Sequence, residues 1–581
     1  MLCALVCSAS AIGAAGTAAP ARGATRPPAD LILTNAVVRT QSRSQPVAQA
    51  VAVTAGAIVY VGSSEGARPW RGPRTQVIDL HGQAVLPGLA DTHVHPALGE
   101  FLNHRLCDVH AYSVEEGFAR LRQCAETAPA GDWVVGYGWY DLDNPAFDAI
   151  TRAQLDALVP DRKLAVISKD IHTLWVNSRT LREFDIGRDT PSPPGGEIVR
   201  DAATGEPTGM LIDAANHAVT DRVQHDSPYA QTTAEICRAA MAHLNGLGIT
   251  SILDAFVDDD AAETYRKLDL AGQLTMRVSL AVPVLPSNYR TEIRRIAANR
   301  AGWRTPHVRV DFIKVIADGN PEVGLSSLLN HDGPPETATP GYYTPAQMTE
   351  LVALAEQAGL SVFVHAIGDG ATREVLDAVA TARRKAPLTK RRHTLTHLVW
   401  VAETDLPRFR RLGVIANIQE GWLAPAAFGG PPGYDYARST AAGPIGPWLA
   451  GRLMPYRPLK EAGAHLAAGS DWFYTDENPW RAMEAGVTSK DPGRVSGPPM
   501  IPNHALDLPT LIRARTIDAA YQLYLEDVTG SIVVGKRADL VVVDRDPLKV
   551  PIDELHGTSV ELTLLDGKMI YRRAAAAPSG D

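Results

Sequence analysis

Cysteine is scarce in this chain, with five residues in 581. Cys3 and Cys7 fall in the N-terminal segment, which leaves Cys107, Cys124 and Cys237 for the body and limits it to one disulfide. Export would permit a bridge between Cys107 and Cys124. The alternative is that all three are small buried hydrophobes. Long basic runs are also missing: the formal net charge of −9 is spread along the chain, so nothing offers the positive footprint that nucleic acid or an anionic membrane surface requires. Beyond the N-terminal segment no apolar run reaches the length of about 18 residues that a bilayer-crossing helix needs, so no membrane span is expected. Internal repeats are absent, and low complexity is confined to the Ala-rich ends. Apolar residues are not in short supply. Hydrophobic residues make up 45% and charged residues 21%, which is ordinary globular composition and excludes a disordered chain.

The first residues, MLCALVCSASAIGAAGTAAPARGA, carry no charge before Arg22 and end in small residues. We read 1–24 as a signal peptide, with Ala19-Pro20-Ala21 as one cleavage candidate and a periplasmic or secreted location as its consequence. The n-region lacks Lys and Arg, so the competing reading is a mis-assigned start or an Ala-rich tail on a cytoplasmic protein. Val6 precedes Cys7 where a lipoprotein site wants Gly or Ala.

Both ends of the remaining chain look alike. The runs 31–40, 50–62 and 76–80, then 539–544 and 560–571, are short and β-branched with turn residues between them. They predict one small discontinuous β-sandwich built from 30–84 plus 505–573, since termini often lie close together. The middle alternates apolar runs with helix-length amphipathic stretches, the pattern of βα units on a parallel sheet. Strands are expected at 86–94, 133–137, 164–168, 249–254, 275–281, 309–316, 361–365, 393–397, 413–418 and 464–469. If 133–137 and 164–168 belong to an insertion at about 98–240, eight remain. The fold class is therefore α/β, a (β/α)₈ TIM-like barrel over 85–504.

The strongest local signal is VLPGLADTHVHP at 85–96. Residues i and i+2 of a strand point the same way, so His93 and His95 present two imidazoles to one side, as chelation of a divalent ion needs. Four more polar residues end later apolar runs: Lys314, His365, His397 and Asp471. Barrel enzymes place catalytic groups at such strand ends. A lysine inside an apolar strand is costly without a partner. Either a carboxylate neutralises Lys314, or its amine is carboxylated and bridges metals.

These segments resemble the amidohydrolase superfamily, in the branch that includes N-substituted formamide deformylase and the YtcJ-like proteins. The matching stretches are DWVVGYGW at 132–139, IHTLWVNSRTL at 171–181, LGITSILDA at 247–255, IKVIADG at 313–319, HAIGDGA at 365–371, AAGSDW at 467–472 and TGSIVVGKRADLVVVDRDP at 529–547. The resemblance implies a divalent metal centre of one or two ions held by His93, His95, His365, His397 and Asp471, with Lys314 as a carboxylated bridge when two are present. Zinc suits imidazole and carboxylate and is favoured on availability, although iron or manganese would also fit. Asp471 is the implied catalytic residue, moving a proton from the attacking water to the leaving nitrogen. The resemblance places His172, beside Trp175 and Asn177, at the substrate mouth, and Trp139 with Tyr140 is a candidate for stacking on an apolar substrate group. Two departures bear on the pocket: NPEVGLSSLLNHDG follows Asp318-Gly319, and Thr396 precedes His397 where an acid is expected. His104, His110, His217, His243 and His465 lack a chelating neighbour in the pattern and read as structural or solvated.

The resulting expectation is a metal-dependent hydrolase cleaving a carbon–nitrogen bond of a small non-peptide amide, formamide or cyclic amide. Homo-oligomerisation stays open. Two other readings compete with it: a mononuclear-metal deaminase of the same superfamily, and a non-catalytic barrel that binds a ligand. Lys314 favours the first reading over deamination, and Asp471 speaks against the last.

Overall fold

The computed structural model describes residues 27–574 apart from 112, 140–144, 170, 194–195, 226–232, 320–325, 330–339, 386–389, 426–451 and 495. The presumptive leader and Tyr140 therefore lie outside the described residues.

Eight parallel strands form the central sheet: β1 (Leu89–Val94), β2 (Ile249–Asp254), β3 (Arg277–Val284), β4 (Val308–Ile316), β5 (Ser361–Ala366), β6 (Thr394–His397), β7 (Ile415–Ile418) and β8 (His465–Ala468). They lie side by side in chain order, the arrangement that helical crossovers of one hand generate. Every residue of β1 and β2 is buried. That explains the continuous apolar runs, because a strand covered on both faces needs no alternation. β1 and β8 are joined by the Thr92 hydroxyl donating to Ala468 O at 2.8 Å and by Asp471 N donating to His93 O at 2.8 Å. Helices start where caps allow. Asp258 accepts from Ala261 N at the start of Asp259–Leu270, and Thr344 with Gln347 forms a capping box ahead of Pro345–Gln357.

Two sheets outside the barrel draw on both ends of the chain. One contains Leu31–Thr34, Ala50–Thr54, Ala57–Gly62 and Gln76–Asp79. The other pairs Ala84–Pro87 antiparallel with Leu540–Val543, which in turn pairs with Val560–Leu565. Leu33, Val51, Val85, Leu540, Val542 and Leu564 share one buried core between them.

The expected strand 86–94 divides in two. Ala84–Pro87 belongs to the terminal sheet, and only Leu89–Val94 enters the barrel. Gly88 is the hinge: its N–H reaches Asp539 O, and a Cβ there would lie 2.2 Å from the Thr250 hydroxyl. Hydrophobicity is equal on either side of the hinge, so it could not mark the break.

The runs at 133–137 and 164–168 lie in a separate sheet of six strands. Trp133–Trp139 and Lys163–Ser168 pair in parallel within it, the former next to the edge strand. Cys107 and Cys124 form a disulfide tying the edge strand of this sheet to the helix Val114–Thr127. Cys237 is free and buried.

Candidate metal centre

The site is assembled at the C-terminal ends of β1, β4, β5, β6 and β8. His93 is the fifth residue of β1, and His95 stands just beyond its end. Lys314, His365 and His397 lie in the last turns of β4, β5 and β6, and Asp471 sits three residues past β8. Gly469 lets the Asp471 loop close on β1, because a Cβ there would fall 2.4 Å from His93 N. Asp91 fastens the same junction from below: Oδ1 accepts from His93 N at 3.2 Å and from Ser470 N at 2.9 Å. Its other oxygen pairs with Arg515 at 3.2 Å, and Arg515 also pairs with Glu420 at 2.7 Å, all three being fully buried. His397, Leu398 and Asp471 have φ of 74°, 52° and 58°. Non-glycine residues hold that left-handed conformation where the surroundings enforce it, and such positions cluster at functional sites.

The Asp471 carboxylate occupies the middle. Oδ1 lies 3.2 Å from His93 Nε2 and 3.4 Å from His95 Nε2, while Oδ2 lies 3.9 Å from His397 Nδ1. Lys314 Nζ is 3.4 Å from His93 Nε2 and 5.1 Å from the centre of the Phe363 ring. The His365 and His397 rings are 4.4 Å apart, and Trp422 stacks on His397 at 5.1 Å. Burial, then the charges of Lys314 and His172, hold the His365 imidazole down at about 3. His93 and His397 are lowered by the same burial, with Lys314 and His365 as the next causes respectively. Burial lowers the Lys314 amine to about 8, against the pull of Asp471. The imidazoles are thus neutral near pH 7, the form in which histidine ligates metal.

The donor set fits a cation. Among the described residues His365 Nε2 and His397 Nδ1 are buried without a hydrogen-bond partner, a costly state that a metal ion would relieve. The His93 tautomer is also fixed. Thr396 Oγ1 lies 2.7 Å from His93 Nδ1, and its own hydroxyl donates to Asn417 Oδ1 at 2.9 Å. Thr396 therefore accepts from Nδ1–H, and Nε2 faces Asp471 as a bare lone pair. One ligand atom each from His93, His397 and Asp471 all lie within 4.8 Å of one another.

Other predicted residues fall elsewhere. Trp139 is fully buried among Phe118, Phe147 and Trp175 in the core of the inserted sheet. It is a core residue and not the stacking platform expected from its place at a strand end. His172 sits on the inserted sheet with Nδ1 2.6 Å from Asp213 Oδ1, half-exposed, and near enough to His365 to depress it. His104 and His243, read as lacking a chelating neighbour, come together with Glu477. Sequence spacing concealed this, because the three come from separate elements.

Three functional candidates escaped the sequence reading. Asp254 ends β2 and accepts from the Tyr265 hydroxyl at 2.9 Å, and burial pushes its carboxyl up to about 6. It carried the same signal as Lys314 or His365, a polar residue closing an apolar run. Lys169, lowered to about 8 by burial, holds its ammonium 5.9 Å from the Tyr474 ring. The Thr396–Asn417–Gln419 network had no local motif to announce it.

Imidazoles, a lysine and an aspartate gathered over the strand ends of an eight-stranded parallel barrel stand where barrel enzymes carry their catalytic groups, and the set suits a divalent ion. The model described as the amidohydrolase family matches residues 76–571, and the chain belongs to that family. The chain is 27% identical over 567 residues to N-substituted formamide deformylase of Arthrobacter pascens, covering 94% of this chain and 99% of that protein. It is 27% identical over 541 residues to the amidohydrolase YtcJ of Bacillus subtilis, covering 90% and 96% respectively. A metal-dependent hydrolase from Pyrococcus horikoshii superposes with a TM-score of 0.70 at 21% identity, covering 90% of this chain and 99% of that one. This last likeness concerns the fold.

Proposed function

We propose that this protein is a metal-dependent hydrolase that cleaves the carbon–nitrogen bond of a small non-peptide amide, with formamides and cyclic amides as the leading substrates. The observation that carries the proposal is the pair of buried nitrogens on His365 and His397, without hydrogen-bond partners among the described residues, beside the Asp471 carboxylate. A divalent ion at His93, His95, His365, His397 and Asp471, zinc by preference, supplies a Lewis acid for a carbonyl and lowers the pKa of a water.

Asp471 takes a proton from the attacking water and delivers it to the departing nitrogen, so that an acid and an amine leave with balanced charge. Thr396 keeps His93 Nε2 bare, and Asp91 holds the His93 and Asp471 loops in register. Among the described residues no carboxylate forms an ion pair with Lys314. Carboxylation of its amine, which would let it bridge two ions, is part of the proposal. His172, steadied by Asp213, is the candidate contact to substrate from the inserted sheet. Export belongs to the proposal too and is supported by the Cys107–Cys124 disulfide, a bond that persists in oxidising compartments.

Metal analysis of the purified protein and of Lys314→Ala, both assayed for amine release from N-substituted formamides and acyl amides, tests the reading. A metal content that falls by about one ion per chain, together with activity, in the variant supports it. Asp471→Asn should lower turnover by about 10²–10⁴-fold, the usual worth of general acid–base catalysis. The compact trio His93, His397 and Asp471 favours the second reading, a single-ion deaminase. One metal per chain with activity intact in Lys314→Ala would move the assignment there. Metal-replete protein with no turnover on these amides and no ammonia release from amino-heterocycles would leave a non-catalytic binding barrel.

A further inference from the structure

A second group of ligand-type side chains lies outside the barrel mouth. His104 ends the helix Pro96–His104, which starts immediately after His95. His243 belongs to the helix Thr233–Gly246 that leads into β2, and Glu477 lies between Asp471 and the helix Pro479–Thr488. His243 Nε2 is 2.7 Å from Glu477 Oε1, and the two imidazole rings are 4.8 Å apart at 53°. One ligand atom from each of the three residues falls within 4.8 Å of the other two. The ion pair of His243 with Glu477 would stand without His104. Yet His104, on an exposed helix end, lays its ring against His243 and Trp472, and among the described residues its imidazole has no hydrogen-bond partner.

We propose that His104, His243 and Glu477 hold a divalent transition-metal ion, zinc by ligand type, in a site separate from the catalytic centre. Two imidazoles and one carboxylate are a donor set that zinc accepts at three positions, with the fourth left to water. Glu100 and Asp476 also lie close enough to act on His243, each already paired to an arginine, Arg105 and Arg481. The site grips the catalytic loop from behind. Trp472 stacks on His243 at 5.4 Å and tilts against His104 at 5.8 Å, and its carbonyl accepts from His95 N at 2.8 Å. An ion there would tie two helices to the segment that carries Asp471, so its occupancy would stiffen the turn between His95 and Asp471.

Equilibrium dialysis of the full chain against zinc, followed by metal analysis, compares wild type with His104→Ala and Glu477→Gln. His104 is exposed, so its loss should spare the fold, and the glutamine keeps a hydrogen bond to His243 while discarding the charge. The wild type is expected to hold one zinc per chain more than either variant, or to bind that zinc at least about tenfold more tightly, given the usual cost of weakening a metal site. Zinc added to protein whose barrel centre is already loaded should change the tryptophan fluorescence of wild type and not of His104→Ala. Equal zinc content and equal fluorescence titrations in all three proteins would overturn the proposal. The difference between wild type and variants does not involve Lys314 or Asp471, so it stands or falls independently of the catalytic reading.

Discussion

Strand β4 has a histidine–aspartate cluster at each end, and the two clusters differ in what they leave unpaired. At its start His307 uses both ring nitrogens, Nδ1 at 2.7 Å from Asp269 and Nε2 at 2.7 Å from Asp566. Arg277 binds Asp539 through two nitrogens at 2.7 and 3.1 Å and reaches Asp566 at 2.6 Å. The Asp566 hydrogen bond is the main cause that raises the His307 pKa, and against burial the bonds from His307 and Arg537 hold Asp566 below the usual carboxylate range. At the other end, around Lys314, the buried imidazoles are neutral and two of their nitrogens have no hydrogen-bond partner among the described residues. The lower cluster contains its own cations and fastens the barrel to the terminal sheets. The upper one has more lone pairs than protons to fill them, and that surplus is what a metal ion answers. Residue type alone does not separate a structural cluster from a ligating one; the hydrogen-bond inventory does.

Breaking the lower cluster should cost stability and little else. Arg277→Leu strands the buried Asp539 carboxylate, and removing one partner of such a pair costs about 3–5 kcal/mol. Denaturant titration should show the loss, while turnover per folded, metal-loaded molecule stays near wild type. A large fall in turnover with unchanged stability would erase the distinction between the clusters. Disturbing the upper cluster from its second layer should do the reverse. Thr396→Val removes the acceptor for His93 Nδ1–H, so the ring loses its fixed tautomer and metal affinity should fall by about 10–100-fold. Competition with a chelator measures this, and an unchanged affinity would show that the hydroxyl does not orient His93.

Much of this was readable in the chain. Parallel strands buried on both faces leave continuous apolar runs, and a polar residue closing such a run stands out, which is how Lys314, His365, His397 and Asp471 came forward. HxH is local and follows from the strand's two-residue period. What the sequence hid depends on contacts distant along the chain. Trp139 closes a strand just as His397 does, but its strand belongs to another sheet, and only packing reveals that its ring points into a core. The break at Gly88 separates two sheets within one uniform run. His104, His243 and Glu477 are ordinary surface types until two helices and a loop meet.

Mild acidity should act on the lower cluster and spare the imidazoles of the upper one. The folded-state pKa of His307 lies above its unfolded value, so the folded protein binds the extra proton over the window between them, and its contribution falls as pH rises through that window. That contribution is complete below about 6.5, the unperturbed histidine value. It is bounded on the acid side by Asp269 and Asp566, whose lowered pKa values make their share present above about 3.9 and lost as pH falls. His307→Gln keeps hydrogen-bonding capacity and cannot charge. The stability margin of wild type over this variant should therefore be widest near about pH 5.5 and shrink towards about pH 9. Over the same fall in pH the His93, His365 and His397 imidazoles, held neutral by burial, should take up no proton. Mild acid would thus tighten the lower clamp and leave the ligand imidazoles of the upper cluster neutral. Thermal or denaturant midpoints of the two proteins across this range give the answer, and a margin independent of pH would mean that His307 holds the terminal sheets without its proton.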